Sequence, residues 1–235
     1  MKFVGFLKPV KLEWLNMTAD ELEKGNLSSK EIKKFLKEHV SNFYKSPVTI
    51  RKSVSVLLKS WVEVDERTKF VRDFALDLYE KANDEEKIAL HYGLMMISFP
   101  IFNDIIYLIG KSLYLDEKFK LENIRRKIFE KWGERQTILY SINNIIFSLR
   151  EWGLIISEGK GLYTSGKKVH ISDSSIKCFL ILCYLKASNR NYLDFAEIDN
   201  LYSLFPFEFD LNLNEITSSK MLNINRIGTD IVVSA

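Results

Sequence analysis

Glycine and proline are scarce in this chain, at 10 and 4 of its 235 residues. A β-sandwich or barrel of this length needs frequent turns, and turns depend heavily on these two residues. Apolar residues recur instead at spacings of three and four, as in Ile32, Phe35 and Leu36, which is the period of an α-helix. The chain is therefore predicted to be mainly α.

The overall composition is that of a folded protein. Hydrophobic residues make up 46% of the chain and charged residues 28%, which differs from the low hydrophobicity and high charge of disordered chains. A length of 235 residues gives one large or two small domains with a buried core. A small disulfide scaffold is therefore excluded.

The two cysteines and the start of the chain predict a cytoplasmic protein. Cys178 and Cys183 lie five residues apart in an apolar run, which puts them on different faces of a helix and suits neither a zinc knuckle nor a redox pair. The first residues contain no sustained apolar core before Lys8, so no signal peptide is expected.

The most apolar stretch, residues 88–110, is predicted to form buried helices. It contains His91, Asn103 and Asp104, whereas a membrane span needs about 20 apolar residues without a charge in the middle. Pro100 divides the stretch, because proline cannot donate a hydrogen bond to the preceding turn. We expect one helix to end near residue 98 and a second to cover about 101–112, with a membrane segment as the alternative.

Helix starts are indicated by capping boxes, in which a hydroxyl and a glutamate satisfy the first backbone N–H groups. Residues 18–21 and 28–31 both fit this pattern. The second box predicts a helix over 28–44, and Ser46-Pro47 then predicts a turn before a helix over 49–61. Three further helices are expected. One covers 65–79, one follows a polar break at 83–86, and one covers about 174–186.

Charge is unevenly distributed, although the net charge is only +3. Residues 118–170 hold eleven Lys and Arg against five Glu, and residues 30–61 hold eight against two. The remainder of the chain is therefore acidic. Two basic segments in an acidic body are typical of a surface that meets a polyanion. The alternative is that the lysines only solvate exposed helix faces.

Residues 119–170 have a distinctive order of elements: helix, tight turn, helix, strand, glycine turn, strand. Gly133 ends the first helix, since glycine readily adopts the left-handed conformation. The second helix has an apolar stripe at Ile138, Ile142 and Ile145. The predicted elements are helices over 121–132 and 137–152 and strands over 154–157 and 162–164.

This order resembles the winged helix-turn-helix family over about a fifth of the chain. The resemblance rests on the turn at 133–137, the helix exit at 149–155 and a wing at 159–163. In DNA-binding members the second helix enters the major groove with its N-terminal half against the bases. The resemblance implies a DNA-binding site made of Arg125, Arg126, Lys127, Arg135, Gln136, Tyr140, Asn143, Asn144, Lys160, Lys167 and Lys168.

Two kinds of contact are expected within this site. Asn, Gln and Arg side chains make paired hydrogen bonds to base edges, so Gln136 and Asn144 are predicted on the exposed face of the second helix. Lysines near the wing contact phosphate, which positions a protein without reading sequence. The alternative is that these polar residues only solvate an exposed helix.

The N-terminal basic segment repeats part of this pattern. Residues 49–54, ahead of Trp61, match residues 137–142, ahead of Trp152. A diverged second helix-turn-helix is therefore a hypothesis, although no glycine wing follows Trp61. Its candidate phosphate contacts are Arg51, Lys52 and Lys59.

No catalytic motif is present in the sequence. There is no glycine-rich phosphate loop, no G-x-S-x-G and no H-E-x-x-H. The three histidines are far apart, and His91 is expected to be a satisfied core residue. Glu158 and Lys160 form only a faint nuclease pattern, which falls on the predicted wing. We therefore expect a non-catalytic protein without cofactor or metal.

The predicted architecture is a mainly α, multi-helix body with a winged helix-turn-helix and a small C-terminal β element. The predicted segments are 1–64, 65–115, 116–170 and 171–235. Their order and size resemble the BrxA component of bacterial BREX phage-exclusion systems. This resemblance implies a non-catalytic subunit that binds double-stranded DNA beside other proteins, without a membrane or a small-molecule substrate. The alternatives are a transcription regulator and a protein–protein interaction module.

Overall fold

The computed structural model describes residues 5–235, which form a mainly α body with small β elements, as predicted. The α-helices are α1 (Leu12–Glu23), α2 (Ser29–Ser41), α3 (Pro47–Trp61), α4 (Lys69–Tyr79), α5 (Asp84–Ser98), α6 (Pro100–Asp116), α7 (Leu121–Trp132), α8 (Gln136–Glu151), α9 (Ser174–Ser188) and α10 (Leu213–Ser218). Short 3-10 turns lie at Glu66–Thr68, Phe195–Asn200 and Tyr202–Leu204.

The strands form three small sheets within the described part of the chain. They are β1 (Lys118–Lys120), β2 (Ile155–Gly159), β3 (Leu162–Ser165), β4 (Val169–His170), β5 (Tyr192–Asp194), β6 (Phe207–Glu208), β7 (Asn223–Ile227) and β8 (Asp230–Ser234). An antiparallel sheet has the order β1-β3-β2, β4 pairs with β6 in parallel, and a second antiparallel sheet has the order β5-β8-β7.

The hydrophobic centre is formed by α5, α6 and α9. Helix α5 ends at Ser98, as predicted, whereas α6 begins one residue before the predicted start and ends four residues after the predicted end. The chain bends by 118° between the two helices. Gly93 of α5 lies against Phe179 of α9, where an added Cβ would overlap the phenyl ring. In residues 5–235 no single helix is both long and apolar enough to cross a membrane, although α5 and α6 together would reach that threshold.

The capping-box predictions have mixed outcomes. Ser28 caps α2 through a complete box, which confirms the predicted start. Helix α5 begins at the predicted polar break, where Asn83 also forms a complete box. The helix start predicted at 18–21 is wrong, because α1 already begins at Leu12 and Thr18 lies in its middle. The Thr18 hydroxyl donates to the Trp14 carbonyl 2.7 Å away, a bond that serine and threonine commonly make inside helices.

The C-terminal part contains more β structure than the sequence predicts. The expected C-terminal β element is confirmed as a hairpin of β7 and β8, with Gly228 in the turn at φ 64°. Strand β5 adds to the other edge of β8, and β4 and β6 form a separate parallel pair. Strands of two or three residues are too short to produce an alternating pattern in the sequence.

The C-terminal part is packed tightly on α6. At Gly110 the backbone of α6 lies so close to the backbone at Tyr202 that an added Cβ would overlap the Tyr202 carbonyl oxygen. The Tyr202 ring also contacts Tyr107 and Tyr114 of the same helix, at centroid distances of 5.8 and 5.3 Å. Residues 202–204 are therefore fixed on the helical body.

A buried histidine links three helices of the body. The Trp61 Nε1–H donates to His91 Nδ1 at 3.1 Å, so His91 Nε2–H is left to donate to Asn16 Oδ1 at 2.7 Å. The ring is fully buried, which confirms the expectation of a satisfied core residue. Burial, with a smaller contribution from the charge of Lys87, lowers the pKa of His91 to about 3.

We predict that His91 makes stability depend on pH below its unfolded pKa of about 6.5. Between pH 6.5 and 5 the unfolded chain takes up a proton at residue 91, whereas the folded chain does not. The free energy of unfolding should therefore fall on acidification, approaching about 1.4 kcal/mol per pH unit from this group. Urea unfolding at several pH values measures the slope, which should be shallower in His91→Gln.

The matched control is His170→Gln, because His170 is exposed at the end of β4. This variant should keep the wild-type slope. An unchanged slope in His91→Gln would contradict the prediction.

Candidate nucleic-acid interface

Helices α7 and α8 are joined by a tight turn of three residues. Helix α7 ends at Trp132, and Gly133 leaves the helix with a φ of 82°. Arg135 is the N-cap of α8 and donates to the Trp132 carbonyl at 3.1 Å. The predicted bounds of α7 are confirmed, and α8 begins one residue earlier than predicted. The predicted apolar stripe of α8, which consists of Ile138, Ile142 and Ile145, is buried.

The hairpin after α8 is also confirmed, with a third strand that was not predicted. Strands β2 and β3 pair around a turn in which Gly159, Lys160 and Gly161 all have positive φ. Strand β1 adds to β3, and Phe119 stacks on Tyr163 at 5.2 Å. Because β1 leads directly into α7, this pairing fixes the hairpin relative to the two helices.

The exposed face of α8 carries polar and aromatic side chains. Gln136 and Thr137 are exposed in its first turn. Tyr140 is 57% exposed one turn later, and Phe147 is 45% exposed in the second half of the helix. Residues 136, 140 and 147 share one side of the helix, since residues four and seven positions apart are neighbours on its surface. Gln136 and Tyr140 are therefore available to a partner.

Asn143 and Arg125 are bound to each other across the α7–α8 contact. The Arg125 guanidinium donates to Asn143 Oδ1 at 2.8 Å, and its buried Nε has no hydrogen-bond partner in the described residues. Both side chains are only partly exposed. The pair holds the guanidinium beside the exposed face of α8 and uses the acceptor of Asn143.

The expectation that Asn144 lies exposed for base contact is wrong. Its side chain is half-buried, and its Nδ2 lies 3.4 Å from the Phe6 carbonyl oxygen. The same oxygen accepts from the Ser141 hydroxyl at 3.0 Å. An N-terminal segment therefore covers this side of α8, and the helical period of α8 alone could not reveal it.

This N-terminal segment, residues 5–10, runs along α8 and is anchored at two points. At the first, Phe6 is buried and packs on Phe99 and Phe102, at centroid distances of 5.3 and 5.9 Å. At the second, the Val10 N–H donates to Ser148 Oγ at 2.9 Å, and Trp152 Nε1–H donates to the Val10 carbonyl at 2.9 Å. The segment thus attaches α8 to the α5–α6 junction.

The basic run on α7 does not present one surface. Consecutive residues of a helix point about 100° apart, so Arg125, Arg126 and Lys127 face three directions. Arg125 faces α8, whereas Arg126 and Lys127 are exposed elsewhere on the helix. Lys160 is exposed at the tip of the β2–β3 turn.

The two lysines after the hairpin each have a partner in the rest of the body. Lys167 forms an ion pair with Glu85 at 2.8 Å, and the hydrogen bond to this carboxylate raises the pKa of Lys167. The Lys168 ammonium donates to the Phe205 carbonyl, and burial lowers the pKa of Lys168. The Lys167 side chain is still 83% exposed, whereas the Lys168 ammonium is bonded to the body and turned away from the expected phosphate contact.

The N-terminal candidates lie on α3, which packs on α2. Arg51 is exposed and Lys52 is half-buried. Lys59 lies over the Phe99 ring at 5.6 Å, and burial lowers the pKa of Lys59. Residues after Trp61 lead into a 3-10 turn and α4, with no hairpin before α4. The hypothesis of a second helix-turn-helix therefore rests on Arg51 and its neighbours alone.

The acidic residue of the faint nuclease pattern is already paired with a neighbouring lysine. Lys118 forms an ion pair with Glu158 at 2.8 Å, which uses the carboxylate of the faint nuclease pattern. Within residues 5–235, no group of three or more His, Cys, Asp or Glu side chains could hold a metal ion. Cys178 and Cys183 are buried and unpaired, and burial raises the pKa of both thiols.

Comparison of the chain with known proteins found no matching family model, no matching curated protein and no matching solved structure. The resemblances to the winged helix-turn-helix family and to BrxA remain predictions.

We predict that Phe6 stabilises the whole α8 region. Phe6→Ala should lower the free energy of unfolding by about 3–5 kcal/mol, because it removes a fully buried ring. Phe6→Leu keeps most of the side-chain volume and should lower the free energy of unfolding by less. Urea unfolding followed by tryptophan fluorescence measures the effect, since Trp152 is bonded to the same segment.

Phe147→Ala is the matched control, because it removes the same ring from an exposed position of α8. Its effect should stay within about 1 kcal/mol. Equal losses in the two alanine variants would mean that residues 5–10 do not anchor the helix.

Proposed function

We propose that this protein binds double-stranded DNA, with the N-terminal half of α8 in the major groove and the β2–β3 hairpin beside it. The observation that carries the proposal is the exposed N-terminal half of α8, beside which Asn143 holds the Arg125 guanidinium. Gln136 and Tyr140 lie on that face, Arg125 is held beside it by Asn143, and Lys160 is exposed at the hairpin tip.

The connection of the elements supports this arrangement. The chain runs from α7 through three residues into α8 and then directly into the hairpin, which is the order that resembles a winged helix-turn-helix. Strand β1 ties the hairpin to the start of α7. A helix and a hairpin fixed relative to one another can contact a duplex together without a large ordering cost.

The chemistry of the exposed face fits base contact. A glutamine can donate to and accept from adenine in the major groove, and Gln136 is exposed in the first turn of α8. The groove is about 12 Å wide and admits an α-helix. Tyr140 adds a ring and a hydroxyl one turn further along.

One observation favours a second candidate function, a protein–protein interaction module. Tyr140 and Phe147 expose two aromatic rings on the same side of α8, and aromatic residues are enriched in protein interfaces. A role as a transcription regulator or as a subunit of a phage-defence system would build on either type of binding.

We predict salt-dependent binding to duplex DNA. With about five phosphate contacts, log affinity should fall against log salt with a slope near −4 to −5. Lys160→Ala should weaken binding to all duplexes alike and reduce the slope by about one unit.

Gln136→Ala should weaken binding to a preferred duplex by ~1–3 kcal/mol and have little effect on binding to random DNA. Fluorescence anisotropy on matched duplexes measures both quantities.

Lys167→Ala serves as the control for Lys160→Ala, because Glu85 already pairs with the Lys167 ammonium. This variant should change the salt slope much less than Lys160→Ala. If the wild-type protein binds no duplex at low salt, the DNA-binding proposal is wrong and the interaction module replaces it.

We also expect the protein to leave DNA intact. Lys118 holds the Glu158 carboxylate at the base of the hairpin turn, so this residue is not poised to activate water. Incubation with supercoiled plasmid and Mg²⁺ or Mn²⁺, followed by gel electrophoresis, should show no nicked product. Nicking that disappears in Glu158→Ala would contradict the expectation.

A further inference from the structure

The N-terminal segment lies beside the proposed DNA-binding face. Its two anchors, Phe6 and Val10, contact α8 near Ser141 and Ser148, so the segment follows the helix in the same direction. Residues 7–9 lie between the anchors. Their backbone is therefore fixed at both ends along α8, from the level of Ser141 in its N-terminal half to that of Ser148 in its last turn.

The angular positions on α8 place this segment next to the exposed face. At 100° per residue, Ser141, Asn144 and Ser148 lie on average roughly 70° to one side of Tyr140. Asn143, which binds Arg125, lies roughly 60° to the other side. The exposed face of α8 is thus bordered by α7 on one flank and by residues 7–9 on the other.

Residues 7–9 turn outward between the two buried anchors. Leu7 is exposed, and Lys8 and Pro9 are partly exposed. Pro9 has a fixed φ and also restricts the residue before it, so the backbone at Lys8 has little freedom. Among the described residues, no acidic side chain forms an ion pair with Lys8 within 4 Å. The Lys8 charge is therefore available to a partner.

We propose that residues 7–9 form an arm that contacts the DNA backbone, with the Lys8 ammonium on a phosphate of the strand opposite to that reached from α7. The inference rests on the proposed function. A helix is about 10–12 Å across and the major groove about 12 Å wide. The two flanks of a helix in the groove therefore face the two phosphate backbones, one flank being α7 and the other the arm.

The rigidity of the arm matters for this contact. A lysine on a mobile segment loses conformational entropy when it binds phosphate, and this loss offsets much of the gain. Lys8 lies within two residues of both anchors, so only its side chain has to be ordered. The arm thus adds a preorganised phosphate contact to the helix and the hairpin.

The test is a salt titration of duplex binding for wild-type protein and Lys8 variants, by fluorescence anisotropy with one labelled duplex of random sequence. Lys8→Ala should weaken binding several-fold at low salt and reduce the salt slope by about one unit. Lys8→Glu should weaken binding further, and Lys8→Arg should restore it. Lys220→Ala is the control, because Lys220 is exposed in the loop between α10 and β7.

The outcomes separate the arm from the proposed function. If wild-type protein binds and Lys160→Ala weakens binding, but Lys8→Ala matches Lys220→Ala, the arm proposal is wrong while DNA binding stands. If wild-type protein binds no duplex, both proposals are wrong. Circular dichroism and urea unfolding of Lys8→Ala should match those of the wild-type protein. If Lys8→Ala is unfolded, its weaker binding is not used, and the comparison of Lys8→Glu with Lys8→Arg decides the proposal. Failure of Lys8→Arg to restore binding would overturn the phosphate contact.

Discussion

Helix α8 is held in place by residues far from it in the sequence. Phe6 is buried against Phe99 and Phe102, and its carbonyl oxygen accepts from Ser141. The second anchor, at Val10, bonds the last turn of α8 and the residue after it. Because both anchors use backbone groups of the N-terminal segment, each bond also satisfies a polar group that would otherwise be buried unpaired. The position of the candidate interface therefore depends on this packing.

The parts of the fold that could be predicted are those with local signals. Each of these signals lies in or next to the element that it predicts. Gly133 marks the end of α7, the apolar stripe marks α8, and the glycines around Lys160 mark the hairpin. The anchors of residues 5–10 could not be predicted, since they join atoms more than 130 residues apart. The same limit explains why the prediction for Asn144 is wrong. Its residue type and helical position suit base contact, but its side chain lies against Phe6, which is distant in the sequence.

Charge counted along the sequence overstates the unpaired positive charge of residues 118–170. The basic segment from 118 to 170 contains lysines that pair with acidic groups from other elements, as Lys131 does with Asp104 and Lys167 with Glu85. Exposed pairs of this kind add little to stability, but they reduce the positive potential of the surface. Conversely, Lys8 belongs to neither basic segment and lies beside α8. A count of charges along the sequence groups residues that are close in the chain, whereas a polyanion binds charges that are close together on the surface.

The covering of α8 limits how much sequence it could read. Its first two turns expose Gln136 and Tyr140, whereas Asn144 and Ser148 are bonded to residues 5–10. Two turns rise about 11 Å, which spans about three base pairs at 3.4 Å each. Three base pairs occur too often in any genome to define a unique site. Selective binding by this protein would therefore require a second reading unit, either another copy of the chain or the exposed side of α3 around Arg51.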